Sequence, residues 1–123
     1  EGIVIVDRSP LSTLFFNLAK LQPNSNQQAK LFEWYSNNFY EKFSTNSKYG
    51  FILMDVSPEV SLARKDEPIN SNDPWRSPEA LKLIREMYLY YFPKWLVNVY
   101  IINAEQKLGK VLNEIDKIIS IHV

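Results

Sequence analysis

The sequence predicts an α/β fold, here a partial domain with about three parallel strands and flanking helices. Two observations carry that expectation. Short apolar runs, continuous rather than alternating, suit strands covered on both faces of a parallel sheet. Between and after them the apolar residues recur at spacings of three and four, the period of a helix packed on one face.

The elements follow in order. Ile3-Val4-Ile5-Val6 is β-branched throughout and reads as a first strand. Phe32, Tyr35, Phe39 and Phe43 have helical spacing. A second strand is expected from Phe51 through Asp55-Val56. Pro58 and Glu59 then suit the first turn of a helix, where proline loses no hydrogen bond and a carboxylate meets the positive end of the dipole. Ser77-Pro78-Glu79 starts a longer helix carrying Leu81, Ile84, Tyr88, Tyr91 and Trp95. A third strand is expected over Val97–Ile102, and a last helix places Leu108, Val111, Leu112, Ile115, Ile118 and Ile119 on one side. Residues Gln22 to Asn26 and Lys65 to Arg76 read as surface loops. Aromatic residues at helical spacing are core far more often than ligand platforms.

Composition removes several function classes. Lysine plus arginine equal aspartate plus glutamate at 14 each, so no basic field marks a nucleic-acid polymer or an anionic membrane as the partner. The 123 residues contain no cysteine and one histidine, His122, which excludes thiol chemistry and a two-histidine metal site within the chain. No apolar run approaches the roughly 18–20 residues of a membrane span. No basic-then-apolar signal segment opens the chain. A cytoplasmic protein is the expectation. The chain begins at Glu1 and enters an apolar run at once, which reads as a cut inside a domain.

Asp7-Arg8-Ser9 directly follows the first apolar run. Ligands of open α/β sheets bind beyond the carboxyl ends of strands, which makes this triplet a candidate site. An arginine there can grip a phosphate with two parallel hydrogen bonds, and an aspartate can hold a hydrated magnesium ion. The alternative roles are a helix cap for Asp7 and a surface ion pair for Arg8.

The wider window, DRSPLSTLFFN over residues 7–17, resembles the thymidylate kinase segment D-R-(Y/H)-x-x-S-x-x-A-(Y/F)-(Q/T). FILMDVSPEVSLAR, residues 51–64, is similar to the family's run ending L-D-V-x-P-E-x-A-L-x-R. Ile101-Ile102-Asn103-Ala104-Glu105-Gln106 resembles V-I-D-A-x-Q before the last helix. The chain thus looks like the C-terminal two-thirds of a thymidylate-kinase-like P-loop nucleotide kinase.

The resemblance implies ATP-dependent phosphorylation of a nucleoside monophosphate, dTMP to dTDP in the first instance, with Mg2+ and ATP required. It implies that Arg8 binds the acceptor monophosphate, while Ser12, Phe16 and Asn17 line the base pocket. Asp7 would stand near the magnesium, which it would hold through water. Arg64 and Arg76 would act on the transferring phosphoryl group. Arg64 would also contact the donor nucleotide, beside Ala104 and Glu105. Residues 65–76 would be the lid of a single partial domain spanning residues 1–123.

Two other readings stand beside this one. A deoxynucleoside kinase also follows a strand with an acid-Arg-Ser triplet. A non-catalytic nucleotide-binding or assembly subunit could use the aromatic helix Phe32 to Phe43 as a homodimer interface. The Walker A pattern G-x-x-x-x-G-K-[ST] does not occur in these 123 residues. The enzymatic reading therefore expects a phosphate-binding loop supplied upstream in cis, or in trans. It also expects the sheet of this chain alone to have exposed edges, because the family's order places that loop's strand between the first two read here.

Overall fold

The structure is a computed structural model, and it describes residues 2–7, 10–21, 25–40, 48–64 and 77–122. Helix α1 spans Pro10–Leu18 and α2 spans Asn26–Tyr35, the latter continuing into a π-helical turn at Ser36–Tyr40. Then come β1 (Phe51–Asp55), the short α3 (Pro58–Ala63), the long α4 (Pro78–Trp95), β2 (Val99–Asn103) and α5 (Leu108–His122). Mixed helix and strand with a parallel sheet is the observed class, as the continuous apolar runs predict.

Among the described residues the sheet has two strands. β1 and β2 pair in parallel, with Phe51 opposite Val99 and Asp55 opposite Asn103. Ile3–Val6 is not a third strand: it has no ladder, and its side chains are 43, 85, 76 and 74% exposed. A β-branched run becomes a strand only when a neighbour satisfies its backbone, and none does so among the described residues. The strand expected from Val97 begins at Val99. Asn98 adopts a left-handed conformation at φ 54°, tolerable for asparagine, and its carbonyl receives the Phe51 N–H at 3.0 Å.

Three helices are capped alike. Ser25, Ser57 and Ser77 each accept a hydrogen bond from the N–H three residues on. Pro58 and Pro78 open α3 and α4, with Glu59 and Glu79 in their first turns. Pro93 lies two residues before the end of α4, which stops at Trp95 with the Leu96 N–H donating to the Phe92 carbonyl at 3.1 Å.

The main core lies between α1, α2 and α4 on one face of the sheet. Leu11, Leu14, Phe15 and Leu18 of α1 meet Tyr35, Phe92 and Leu96 there, all buried. Phe15 is its centre, edge-on to Tyr88 at 4.7 Å and stacked on Tyr91 and Trp95. Tyr35 in turn stacks on Trp95 at 5.3 Å. The aromatic periodicity is therefore core, as expected; Phe43 lies outside the described residues. On the opposite face α5 packs along β2 through Val111, and its end returns to the start of the sheet, where His122 Nε2 meets the Tyr100 hydroxyl at 3.0 Å. No helix among the described residues is long and apolar enough to cross a membrane.

Candidate functional site

Both strands end at one edge, and there the chain concentrates its polar side chains. The ladder extends one residue further, since Ala104 N–H donates to the Asp55 carbonyl at 2.8 Å. Ser57 caps α3 just beyond β1, its Oγ accepting from Val60 N–H at 3.3 Å. In a capping box the cap's own N–H is met by an acid at the third helical position. That position is Val60 here, and Glu105 from the turn after β2 does the work, accepting from Ser57 N–H at 2.7 Å. Hydrogen bonds from Ser57, side chain first and backbone second, hold the Glu105 carboxyl below its ordinary value, and the Arg85 charge adds to this. The Glu105 N–H is taken by Asn103 Oδ1 at 2.9 Å.

Arg64 stands at the C-cap of α3 and reaches across the edge to donate from Nη1 to the Ala104 carbonyl at 2.8 Å. Arg64, Ala104 and Glu105, expected on the donor side, are thus brought together from two segments forty residues apart. Both backbone groups of Ala104 are engaged within the edge itself.

Two residues with no assigned role complete the cluster. Arg85 of α4 donates from Nε to Asp55 Oδ1 at 2.8 Å and from Nη2 to Oδ2 at 3.1 Å, a bidentate pair at the last residue of β1. The side chains are 38% and 21% exposed. The Asp55 hydrogen bond raises the arginine's pKa above its ordinary value, and the fields of Asp55, Glu105 and Glu59 add to it. A signal for the pair was present in the sequence. Arg85 interrupts the apolar face made by Leu81, Tyr88 and Phe92, and an acid ends an apolar strand.

One turn further along α4, the Tyr88 hydroxyl donates to Ser12 Oγ at 2.8 Å, so the first turns of α1 lie against the same helix. Ser12 and Phe16 are half-buried and one turn apart. Asn17 is exposed, and its amide returns to its own helix, donating to the Thr13 carbonyl at 2.8 Å. Asp7 lies exposed in a bend before α1. Arg8, Arg76 and the whole of the expected lid at 65–76 lie outside the described residues. Among the described residues no three metal-ligating side chains gather.

No protein-family model, curated protein or solved structure matches the chain. Its function must be argued from the edge itself.

Proposed function

We propose that the chain is the acceptor-binding and lid-bearing part of a thymidylate-kinase-like P-loop nucleotide kinase, taking part in ATP-dependent phosphorylation of a nucleoside monophosphate, with dTMP the first candidate. One observation supports this above the others. Arg64 and the Ala104-Glu105 turn, which belong to two separate resembling segments, meet at the carboxyl edge of a parallel sheet at 2.8 Å.

In this reading Arg8 holds the acceptor phosphate, and Ser12 and Phe16 border its base. Arg64 and Arg76 neutralise charge on the phosphoryl group in flight. Because Ala104 has both backbone groups engaged, the donor base would meet that turn by surface contact. A magnesium ion, when bound, would neutralise the donor phosphates. A hydrated Mg2+ needs few carboxylates, and the exposed Asp7 fits one held through water. The phosphate-binding loop has no counterpart in these residues, so transfer requires it in cis or in trans.

Calorimetric titration of the chain with dTMP, thymidine and ATP tests the reading. Binding of dTMP in preference to thymidine supports it. The reverse preference moves the assignment to a deoxynucleoside kinase, and binding of none of the three overturns it. In a protein that carries the loop, Arg8→Ala should cut turnover by orders of magnitude.

A further inference from the structure

Two parts of the chain each lack what the other offers. The first is the outer edge of β1. Phe51 N–H donates to the Asn98 carbonyl and the Asp55 carbonyl accepts from Ala104 N–H, so alternate residues of β1 turn their backbone groups toward β2. Ile52 and Met54 turn theirs the opposite way, and no hydrogen bond reaches them from the described residues. The α5 helix packs against β2 and leaves their side chains 37% and 42% exposed. Strand edges are ordinarily blunted by lysine, proline or a bulge, and Phe51–Asp55 carries none of these. The second part is the run Ile3–Val6. It is apolar and β-branched at every position, and its backbone has no partner among the described residues. A run apolar on both faces fits a sheet covered on both faces. Beside β1, one pair of its side chains would lie on the side of the α1–α2–α4 core, and the other pair would cover Ile52 and Met54.

We propose that β1 takes the Ile3–Val6 run of a second copy of this chain as an added strand, and that two copies exchange these runs reciprocally. Within one chain the run lies off the sheet, so the edge stands open to the run of another copy. Basic and acidic residues balance at 14 each, so copies meet without net repulsion. The run's side chains are 43, 85, 76 and 74% exposed. Reciprocal exchange would hide on the order of 1,000 Å² in all, the low end for specific interfaces, so the dimer is a weak one. The outer edge of β2 is the poorer acceptor. Asn98 and Asn103 bound it and leave Ile101 as the one exposed apolar residue of that strand. The inference does not depend on the kinase reading.

The test combines sedimentation velocity over a concentration series with cysteine cross-linking, which the absence of native cysteine makes clean. The wild-type chain should show a monomer–dimer equilibrium. Met54→Lys and Ile5→Lys should each weaken it by roughly tenfold or more, while Ile101→Lys should change it less than about twofold. Melting temperatures at low concentration are the control for folding. For cross-linking, Val4→Cys and Ile5→Cys chains are each mixed with Ile52→Cys or Met54→Cys chains and oxidised. Neighbours in a strand point to opposite faces, so only one of the two run positions should form a disulfide with the edge in high yield. Equal cross-linking from both positions would mean association without a strand and would overturn the proposal. So would dimerisation lost in Ile101→Lys but kept in Met54→Lys, which moves the contact to β2. Growth into larger oligomers with no dimer would overturn reciprocal exchange. A monomer at every concentration would assign the edge to another occupant and end the proposal.

Discussion

At the scale of single residues, the carboxyl edge works by substitution of partners. Glu105 supplies the capping carboxylate that α3 lacks, and its charged form is the one Ser57 binds. A carboxyl whose folded pKa is depressed contributes stability above its unfolded value, and that contribution is lost as pH falls through the folded value. The melting temperature should therefore drop on acidification below the ordinary carboxylate range. Part of that slope should vanish in Glu105→Gln, measured as melting temperature against pH for both proteins. A slope unchanged by the substitution would show that the cap is not coupled to folding. Phe15 sets the opposite extreme. It is 0% exposed among four aromatic rings, so Phe15→Ala should cost about 3–5 kcal/mol in urea unfolding through lost transfer and an uncollapsed cavity.

At the scale of elements, the repeated Ser-Pro-Glu starts of α3 and α4 act through the same three devices: a hydroxyl cap, a preset φ and an acid near the dipole. Ser77→Ala should lower stability by about 1 kcal/mol, the usual worth of a cap, with Ser77→Gly costing less. Ser57→Ala should cost more than Ser77→Ala, because the Ser57 side chain also bonds Glu105 from beyond β2, whereas the acid met by the Ser77 hydroxyl, Glu79, lies two residues on in its own helix; denaturant midpoints of the two variants decide this. The C-terminal helix is seated by a different contact. A Cβ at Gly50 would lie 3.2 Å from His122 Nε2, the atom that meets Tyr100. Gly50→Ala should displace the imidazole and speed amide exchange in the last turn of α5, with little effect on the α1–α2–α4 core.

At the scale of the whole molecule, the sheet is narrow for its class. A parallel pair is seldom found by itself, and among the described residues both strands are edges. Apolar side chains stay open around it: Ile52, Met54 and Ile101 on the strands, Leu108 and Leu112 on α5, and the whole Ile3–Val6 run. Such segments are templates for association. Replacing Ile5 with lysine should therefore reduce concentration-dependent light scattering without lowering the melting temperature, since Ile5 is 76% exposed. A large fall in melting temperature would mean that the run is packed after all.

The sequence by itself determined the class of fold and where most elements start. Serine caps, helix-opening prolines, continuous apolar runs and the helical spacing of aromatic residues are local signals, set by backbone sterics and side-chain periodicity. It also placed Ser12, Arg64, Ala104 and Glu105 in segments that converge on one helix or one edge. Tertiary structure decided the rest, because pairing is non-local. Whether Ile3–Val6 becomes a strand depends on a neighbour the run cannot specify. The left-handed turn at Asn98 that shortens β2 is tied to Phe51, in a distant strand. The Asp55–Arg85 pair joins residues thirty positions apart, and only the packing of α4 across the end of β1 brings them within hydrogen-bond reach.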